Sequence, residues 1–423
     1  MTEAYLDTIK ALQPGLPGAQ LPWLANVRQA AAARFAATGF PGRKDEAFKY
    51  ADLKALERTP FTANADTDQT VGSLPWLDVA GPRLVFIDGH FHVGLSSGVS
   101  DAASPLSALL EGETADLQQH FASVQDASAL AQLNTALAGD GLVLRVPAGE
   151  DAGTIQLLMV STGAAANAAA HIRNVIHLEA GAKAAIVERS MSFGAEAYWA
   201  NAVTNIQIEQ GAVLQHMHWQ SDNASAMATG LTQAVVEAEG AYHRFTLSTG
   251  AASARSEIRV DVTGQGADVQ LSGVQLGKAR QVLDTVTLLR HEIGHATSNQ
   301  TYRAVVDEKA RTAFSGKVYV ARDAQKTDAQ QSSRNLLLAR TAEADTKPEL
   351  EIYADDVHCA HGATVGELDK KALFYLASRG VSPEAARAIL VQAFVSDVIE
   401  DIAIDAVKEA YLEATHNWLM EQL

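Results

Sequence analysis

The sequence contains few of the residue types that several common protein classes need. Its 423 residues include one cysteine, Cys359, so this chain alone cannot form an internal disulfide or a closed cysteine cage for a metal. The sequence has 33 lysines and arginines but 50 aspartates and glutamates. The resulting net charge of −17 argues against binding nucleic acid or an anionic membrane. No apolar run approaches the length of a membrane span, and no basic start precedes an apolar core at the N-terminus. A cytoplasmic protein is expected.

The residues that are present indicate a folded chain of several units. Apolar residues make up 47% of the sequence and charged residues 20%, as in ordinary globular proteins. We expect a largely helical N-terminal region over residues 1–140. One helix is predicted to begin at Pro22, to present Leu24, Ala31 and Phe35 on one face, and to end at Gly39.

Residues 141–362 have the composition of short β-strands separated by a recurring Gly-Ala step. The steps begin at Gly181, Gly211, Gly240 and Gly266, so they recur at nearly constant intervals along the sequence. A near-constant period in the range of about 20 to 50 residues predicts a solenoid, in which each coil buries its apolar face against its neighbours. A β-sandwich with regularly spaced hairpins is the alternative.

Residues 363–423 are predicted to be helical. Residues 364–367 fit a capping box that would start a helix, and Ser382 followed by Pro383 fits the start of the next. Apolar residues between 390 and 402 recur at helical spacing. Such a stripe is typical of a packed core, and the alternative is a surface for a partner.

The sequence His291-Glu292-Ile293-Gly294-His295 matches the H-E-x-x-H pattern of zinc hydrolases. That pattern binds zinc on a helix, where the two imidazoles share a face. The flanking residues favour strands instead, and on a strand the two histidines would be about 13 Å apart, too far for one ion. These points argue against zinc, so a zinc hydrolase using His291, Glu292 and His295 is only the alternative to the main functional prediction.

Residues 273–279 resemble a phosphate-binding loop but are one residue short and end in Ala279, where a serine or threonine is needed. We expect a strand and turn there, and no nucleotide bound by this chain's own motifs. A carbohydrate-cleaving solenoid would need paired carboxylates on adjacent coils, which the sequence alone cannot place.

The densest group of metal-binding residue types lies in residues 355–362, with two aspartates, His358, Cys359 and His361. Thiolates and imidazoles are preferred donors for iron and iron–sulfur units. Cys359 and His361 are two residues apart, so on an extended strand they project to the same side. The alternative is a small buried cysteine beside ordinary loop histidines. Even the full set offers too few ligands for a closed site, so another chain would have to complete it.

His216 and His218 also lie two residues apart on a predicted strand. Two ligands do not make a metal site, so a solvated or core-edge pair is the expected interpretation.

These residues and their surroundings resemble the SufB/SufD family of iron–sulfur cluster scaffold proteins, and the single cysteine favours its SufD branch. The segments that carry the resemblance are residues 316–320, 324–329, 335–338, 348–352, 354–357, 359–366, 368–369, 374–376, 378–380 and 393–394. Residues 44–50, 133–134 and 146–147 are similar to its N-terminal parts. The resemblance covers nearly the whole chain.

The resemblance implies a right-handed parallel β-helix core flanked by N-terminal and C-terminal helical regions. It also implies a non-enzymatic subunit of a cytoplasmic complex with a SufB-like scaffold and a SufC-like ATPase, the latter bound through the C-terminal helical region. The resemblance further implies that this chain can form a homodimer. A transient cluster or iron would lie at the interface with the SufB-like chain. A cysteine of the SufB-like chain and a histidine of the SufD-like chain would contribute, and His361 matches that histidine, with Cys359 matching the cysteine beside it. His358 stands where the family often has lysine, so it is either an extra metal donor or a surface substitution.

Overall fold

The computed structural model describes residues 2–42, 45–63, 71–111, 115–121, 128–163 and 165–421. Its centre is a β-solenoid of about seven turns, in which two long sheets face each other and consecutive strands alternate between them. Along the solenoid, from Asp151 onward, neighbouring strands within each sheet are parallel. The predicted fold class, a mostly β solenoid with helices at both ends of the chain, is confirmed.

The strands are numbered here in chain order. Within the described residues they are β1 (Thr62–Ala63), β2 (Arg83–Ile87), β3 (His90–Phe91), β4 (Ala103–Pro105), β5 (Leu142–Val146), β6 (Asp151–Ser161), β7 (Ala168–Leu178), β8 (Lys183–Ser192), β9 (Tyr198–Ile208), β10 (Val213–Ser221), β11 (Met227–Val236), β12 (Ala241–Ser248), β13 (Ser253–Val262), β14 (Asp268–Gly277), β15 (Val282–His291), β16 (Thr297–Val306), β17 (Arg311–Val320), β18 (Asp328–Leu337), β19 (Glu343–Ile352) and β20 (His358–Gly366). Sheet 1 contains β1, β4, β5 and the odd-numbered strands from β7 to β19, and sheet 2 contains β2, β3 and the even-numbered strands from β6 to β20.

The helices lie before and after the solenoid. In the described residues they are α1 (Thr2–Leu12), α2 (Pro22–Thr38), α3 (Lys54–Arg58), α4 (Leu106–Leu109), α5 (Ala115–Phe121), α6 (Ala129–Leu137), α7 (Lys370–Ser378), α8 (Pro383–Ile399) and α9 (Asp405–Met420), with short 3-10 helices at Gln13–Gly15, Glu46–Phe48 and Val93–Leu95. No helix among the described residues has the length and apolar character needed to cross a membrane.

The repeated Gly-Ala steps lie at one corner of the solenoid, where the chain passes from sheet 1 to sheet 2. Gly181, Gly211 and Gly266 turn this corner with φ angles of 70°, 67° and 73°, which glycine adopts without steric cost. In the coil between the last two, Glu239 turns the corner at φ 59°, and Gly240 occupies the next position. The repeat is therefore a repeat of backbone conformation, and glycine marks it in only some coils.

The lumen between the sheets holds the main hydrophobic core, which includes Ile186, Ile258 and Val320. Strands in neighbouring coils are aligned residue by residue, so inward-facing side chains stack in files about 4.8 Å apart. Coil length is not constant, because the coil from Met227 to its register partner Ser253 is shorter than the coil from Arg311 to Glu343.

The N-terminal helices pack on the outer face of sheet 1. Helix α6 lies across the strands, where Asn134 donates hydrogen bonds to the carbonyls of Ile172 (2.9 Å) and Asn201 (2.8 Å). The predicted helix from Pro22 is confirmed, with buried Phe35 on its inner face and Gly39 at its end.

The transition from solenoid to C-terminal helices differs from one expectation. Residues 364–367 do not start a helix, because β20 continues through Gly366, beyond the predicted core boundary at residue 362. Pairing with β18 outweighs the local capping pattern. Helix α7 starts at Lys370 instead, and its cap is Asp369, whose side chain accepts a hydrogen bond from the Lys371 N–H. The predicted cap at Ser382 is confirmed.

Candidate functional site

The last coil of the solenoid is open. In the described chain, β19 pairs with β17 and β20 pairs with β18, and neither has a strand on its other side. Large apolar side chains are exposed there, including Ile352, Tyr353 and Val365. An unpaired strand edge with exposed apolar residues is a surface to which another chain can add.

The strand β20 carries all three predicted donor residues. Its register sets Cys359 beside Ala329 and His361 beside Gln331, and both of these β18 residues are buried on the luminal side. Cys359 and His361 therefore share one side of the open strand, as their spacing predicts, and their register partners show that it is the luminal side. His358 pairs with the exposed Asp328 and lies on the opposite side, so β20 does not bring it together with the other two.

The thiol of Cys359 has an apolar environment. It is half-buried against the luminal core, beside the partly buried Val357. Desolvation raises the pKa of Cys359, although a backbone hydrogen bond from Ala329 opposes the shift. The thiolate is the form that binds metal, so this cysteine needs a nearby cation or a metal to ionise.

The outer side of β20 is charged. His358 is exposed and close to Asp356, which forms an ion pair with Lys326 across the corner of the coil. The hydrogen bond from Lys326 lowers the pKa of Asp356, and His358 adds to the effect. Nowhere in the described ranges do three or more His, Cys, Asp and Glu side chains converge as a metal site.

The H-E-x-x-H pattern spans a corner of the solenoid. His291 ends β15 with its ring fully buried, and its Nε2 lies 2.9 Å from the Ser298 hydroxyl. Glu292 and His295 are exposed, and His295 turns the corner at φ 59°. The two histidines face different environments, so the zinc hydrolase hypothesis finds no support. Residues 273–277 lie within β14, as predicted for a strand.

His216 and His218 belong to a buried charged cluster rather than to a solvated or core-edge pair. Because an arginine can only donate, the contact from Arg244 to Nδ1 of His216 (2.9 Å) leaves the proton on Nε2. That proton is donated to Glu188 at 2.9 Å. Burial opposes ionisation of Glu188, but His218, His216 and Arg244 together lower its pKa to about 2. Both nitrogens of His216 are engaged, so it has no lone pair to offer a metal.

Sequence reasoning did not find this cluster, although a signal exists. Glu188 is the register partner of His218 in the next coil, and His216 is the register partner of Arg244 in the coil after that. Acidic, basic and histidine residues that recur about one coil length apart in the sequence indicate side chains stacked on each other in the lumen.

Two buried histidines predict a dependence of stability on pH. Burial lowers the pKa of His171 and of His291 to about 4. In the unfolded chain histidine titrates near 6.5, so between these values the unfolded state binds more protons and the folded state loses stability as the pH falls. We expect urea unfolding at pH 5 to show a loss on the order of 2 kcal/mol per histidine relative to pH 7.5. His171→Asn should reduce the loss by the share of one histidine, and equal wild-type stability at both pH values would refute the prediction.

The apolar stripe of residues 390–402 is core, as expected. Val391, Val395 and Val398 are buried against the outer face of sheet 2, together with Phe245 and Leu276. This stripe is not available to a partner in the folded chain.

Helix α7 is the exposed part of the C-terminal region. None of its residues is buried, and the side chains of Phe374 and Tyr375 are 77% and 58% exposed. A groove of about 610 Å³ separates it from α8 and the end of β18, with Leu338, Leu373 and Arg387 among its walls. Large exposed apolar side chains beside a groove indicate a protein-binding surface.

The sequences of the solenoid and of the N-terminal helices both match models of a known protein family. Residues 160–394 match the family model described as SUF system FeS cluster assembly, SufBD core domain. Residues 1–71 match the model of the SufBD protein N-terminal region. The chain therefore belongs to the SufBD family of iron–sulfur cluster assembly proteins.

Comparison with individual proteins makes the assignment more specific. The chain is 30% identical over 380 residues to the iron–sulfur cluster assembly protein SufD of Escherichia coli, which covers 89% of this chain and 88% of that protein. It is 29% identical over 408 residues to a SufBD family protein of Synechocystis (91% and 89% covered) and 28% identical over 416 residues to the chloroplastic protein ABCI7 of Arabidopsis thaliana (95% and 86%). It is a SufD-like protein.

Proposed function

We propose that this chain is the SufD-like subunit of a cytoplasmic complex with a SufB-like scaffold and a SufC-like ATPase. Its role is to help acquire iron and form a cluster at the interface with the SufB-like chain. It performs no catalysis of its own and binds no nucleotide through its own motifs. The observation that carries the proposal is the open last coil with His361 and Cys359 on its luminal side.

The open coil supports the partner assignment. The N–H of His358 donates to the Thr327 carbonyl at 2.9 Å, so in a parallel ladder the N–H groups of Cys359, His361 and Ala363 point to the outer edge. A strand from another chain that adds to this edge extends sheet 2 and brings its own donors beside these residues. A SufB-like solenoid fits this edge, and a second copy of this chain is the alternative occupant.

The two luminal residues have different roles in the proposal. His361 offers iron a neutral imidazole, a preferred iron ligand, from an exposed position. Cys359 is half-buried with a raised pKa, so it contributes only after a metal or a cation approaches. The remaining ligands come from the partner, because the described residues supply too few. His358, on the other side of β20, acts as a surface residue in this arrangement.

The ATPase binds through α7 and the groove beside it in this proposal. The stripe of residues 390–402 is buried, whereas Phe374 and Tyr375 are the two most exposed large apolar side chains of the described C-terminal helices. Movement of α7 on ATP binding would reach β20 through the short segment between Gly366 and Lys370.

Co-expression with a SufB-like chain and a SufC-like ATPase, followed by affinity purification of this chain, tests the assignment. We expect all three to co-purify. The double variant Phe374→Asp, Tyr375→Asp should lose the ATPase and keep the SufB-like chain, whereas Ile389→Asp, on the neighbouring helix, serves as a matched surface control. Recovery of this chain without either partner would refute the proposal.

A further inference from the structure

The luminal face beneath His361 contains an unexplained polar file. The register places His361 beside Gln331, and Gln331 beside Gln300 one coil deeper. Gln331 is 3% exposed and Gln300 is fully buried. Adjacent strands are about 4.8 Å apart, so the backbones of Gln331 and His361 are one strand spacing apart and their side chains leave the sheet on the same side.

The Gln331 amide lacks partners inside the described chain. Neither its Nε2 nor its Oε1 makes a hydrogen bond, and the Nε2 of Gln300 has none. Buried amides are almost always hydrogen-bonded, because an unpaired polar group in the interior costs free energy. Two glutamines in one file with unused hydrogen-bonding groups therefore indicate a polar site with a function other than packing.

The opposite sheet makes room for this amide. A Cβ atom added to Gly316 on β17 would come within 2.1 Å of Nε2 of Gln331. The end of the glutamine side chain thus occupies space that a larger residue at position 316 would fill. One coil deeper, Oε1 of Gln300 accepts a hydrogen bond from the Thr287 hydroxyl at 2.6 Å, which fixes the base of the file.

A histidine that binds a metal through one ring nitrogen usually donates its other N–H to a carbonyl or carboxylate. This hydrogen bond sets the tautomer and holds the ring in place. In sheet 2, Gln331 is the register partner of His361, and its side-chain carbonyl is buried and has no hydrogen-bond partner in the described chain.

We propose that Gln331 is the positioning residue for His361. Its Oε1 accepts a hydrogen bond from one imidazole N–H, so the other ring nitrogen keeps its lone pair and faces the open edge. The Nε2 of Gln331 donates inward to Oε1 of Gln300, which has a second lone pair available. The inference rests on the proposed role of His361 at the interface, and it adds the group that orients this ligand.

The tautomer of His361 tests the inference directly. The full chain, labelled with [15N]histidine, is examined at pH 7.5 by long-range proton–nitrogen correlation, with His361 assigned by the signals missing from His361→Asn. We expect one dominant tautomer at His361 and the mixture typical of free imidazole at the exposed His358. The same mixture at both positions in the wild-type protein would overturn the proposal without any variant at position 331.

Two substitutions separate a hydrogen-bonding role from a packing role. Gln331→Met has nearly the same shape but only a weakly accepting sulfur, so we expect the His361 tautomer ratio to shift several-fold towards that of His358. Gln331→Glu retains an acceptor oxygen and should keep the dominant tautomer. An unchanged ratio in folded Gln331→Met would overturn the proposal.

Failure of the positioning role of Gln331 can be distinguished from failure of the proposed role of His361 in cluster formation. If His361→Ala leaves cluster formation intact while the tautomer depends on Gln331, the proposed function fails and the pairing stands. If His361→Ala abolishes cluster formation while Gln331→Met leaves the tautomer unchanged, the positioning role alone fails.

Discussion

Replacing His361 with alanine is expected to lower the cluster content of the assembled complex about tenfold or more, while the complex still forms. Loss of an outer partner of a metal-bound histidine already costs about 10- to 100-fold in metal affinity. Loss of the ring itself removes a ligand that the rest of the described chain does not replace. The side chain is exposed, so its removal leaves no cavity in the core. Iron and acid-labile sulfide per complex, measured after anaerobic reconstitution, give the yield.

A matched control for this variant is present on the same strand. His358 is also an exposed histidine of β20, but it lies on the side away from Cys359. We expect His358→Ala to keep the wild-type cluster content. If an intact His361→Ala complex held as much cluster as the wild type, or if both variants lost it equally, the assigned role of His361 would be wrong.

The substitution Ala363→Pro is expected to abolish association with the SufB-like chain. The Ala363 N–H points to the outer edge of β20, so proline removes a donor that an added strand needs, and its ring obstructs that strand. Within the chain this N–H makes no ladder bond to β18, and proline is tolerated on such edges. The fold of the chain should therefore survive, as circular dichroism and its melting temperature would show.

Affinity purification of the co-expressed subunits measures this effect. Ala363→Ser keeps the N–H and a small side chain, so it should bind the SufB-like chain as the wild type does. Undiminished association of a folded Ala363→Pro variant would show that the partner binds elsewhere and that the last coil is not the interface.

The sequence predicted the solenoid because its period reflects a backbone requirement. At Gly181 and Gly211 the corner needs a left-handed residue, and glycine supplies it at no steric cost. At His295 the same corner is turned by a histidine, and there the sequence presents a false zinc motif. The H-E-x-x-H pattern alone does not distinguish a zinc site from a corner of the solenoid. The position of His295 within its coil does.

That Cys359 and His361 share a side was also predictable, because strand alternation requires no knowledge of other coils. Pairing with β18 was needed to show that this side is the luminal one. Contacts between coils were not predictable in the same way. Gln331 precedes His361 by one coil, but coils differ in length along the solenoid, so the sequence does not specify which residues stack. The cluster around Glu188 was missed although its complementary residues recur at about the coil period, because that period alone does not specify which of them stack.

The limits of local signals appear again at the end of the solenoid. Residues 364–367 have the sequence of a helix cap, yet they extend β20, because pairing with β18 continues to Gly366. A short capping pattern contributes about 1 kcal/mol, which several ladder hydrogen bonds exceed. The exposed edge that results carries His361, so this departure from the local pattern helps to form the candidate site.

Whether the His361 site is shared between two chains is tested most directly by iron and acid-labile sulfide analysis of this chain alone and of its complex with the SufB-like chain. Both are reconstituted anaerobically under the same conditions and freed of loosely bound iron. We predict a bound cluster in the complex and well under one iron per molecule in the isolated monomer. A stable, stoichiometric cluster on the monomer would contradict a site that a second chain must complete.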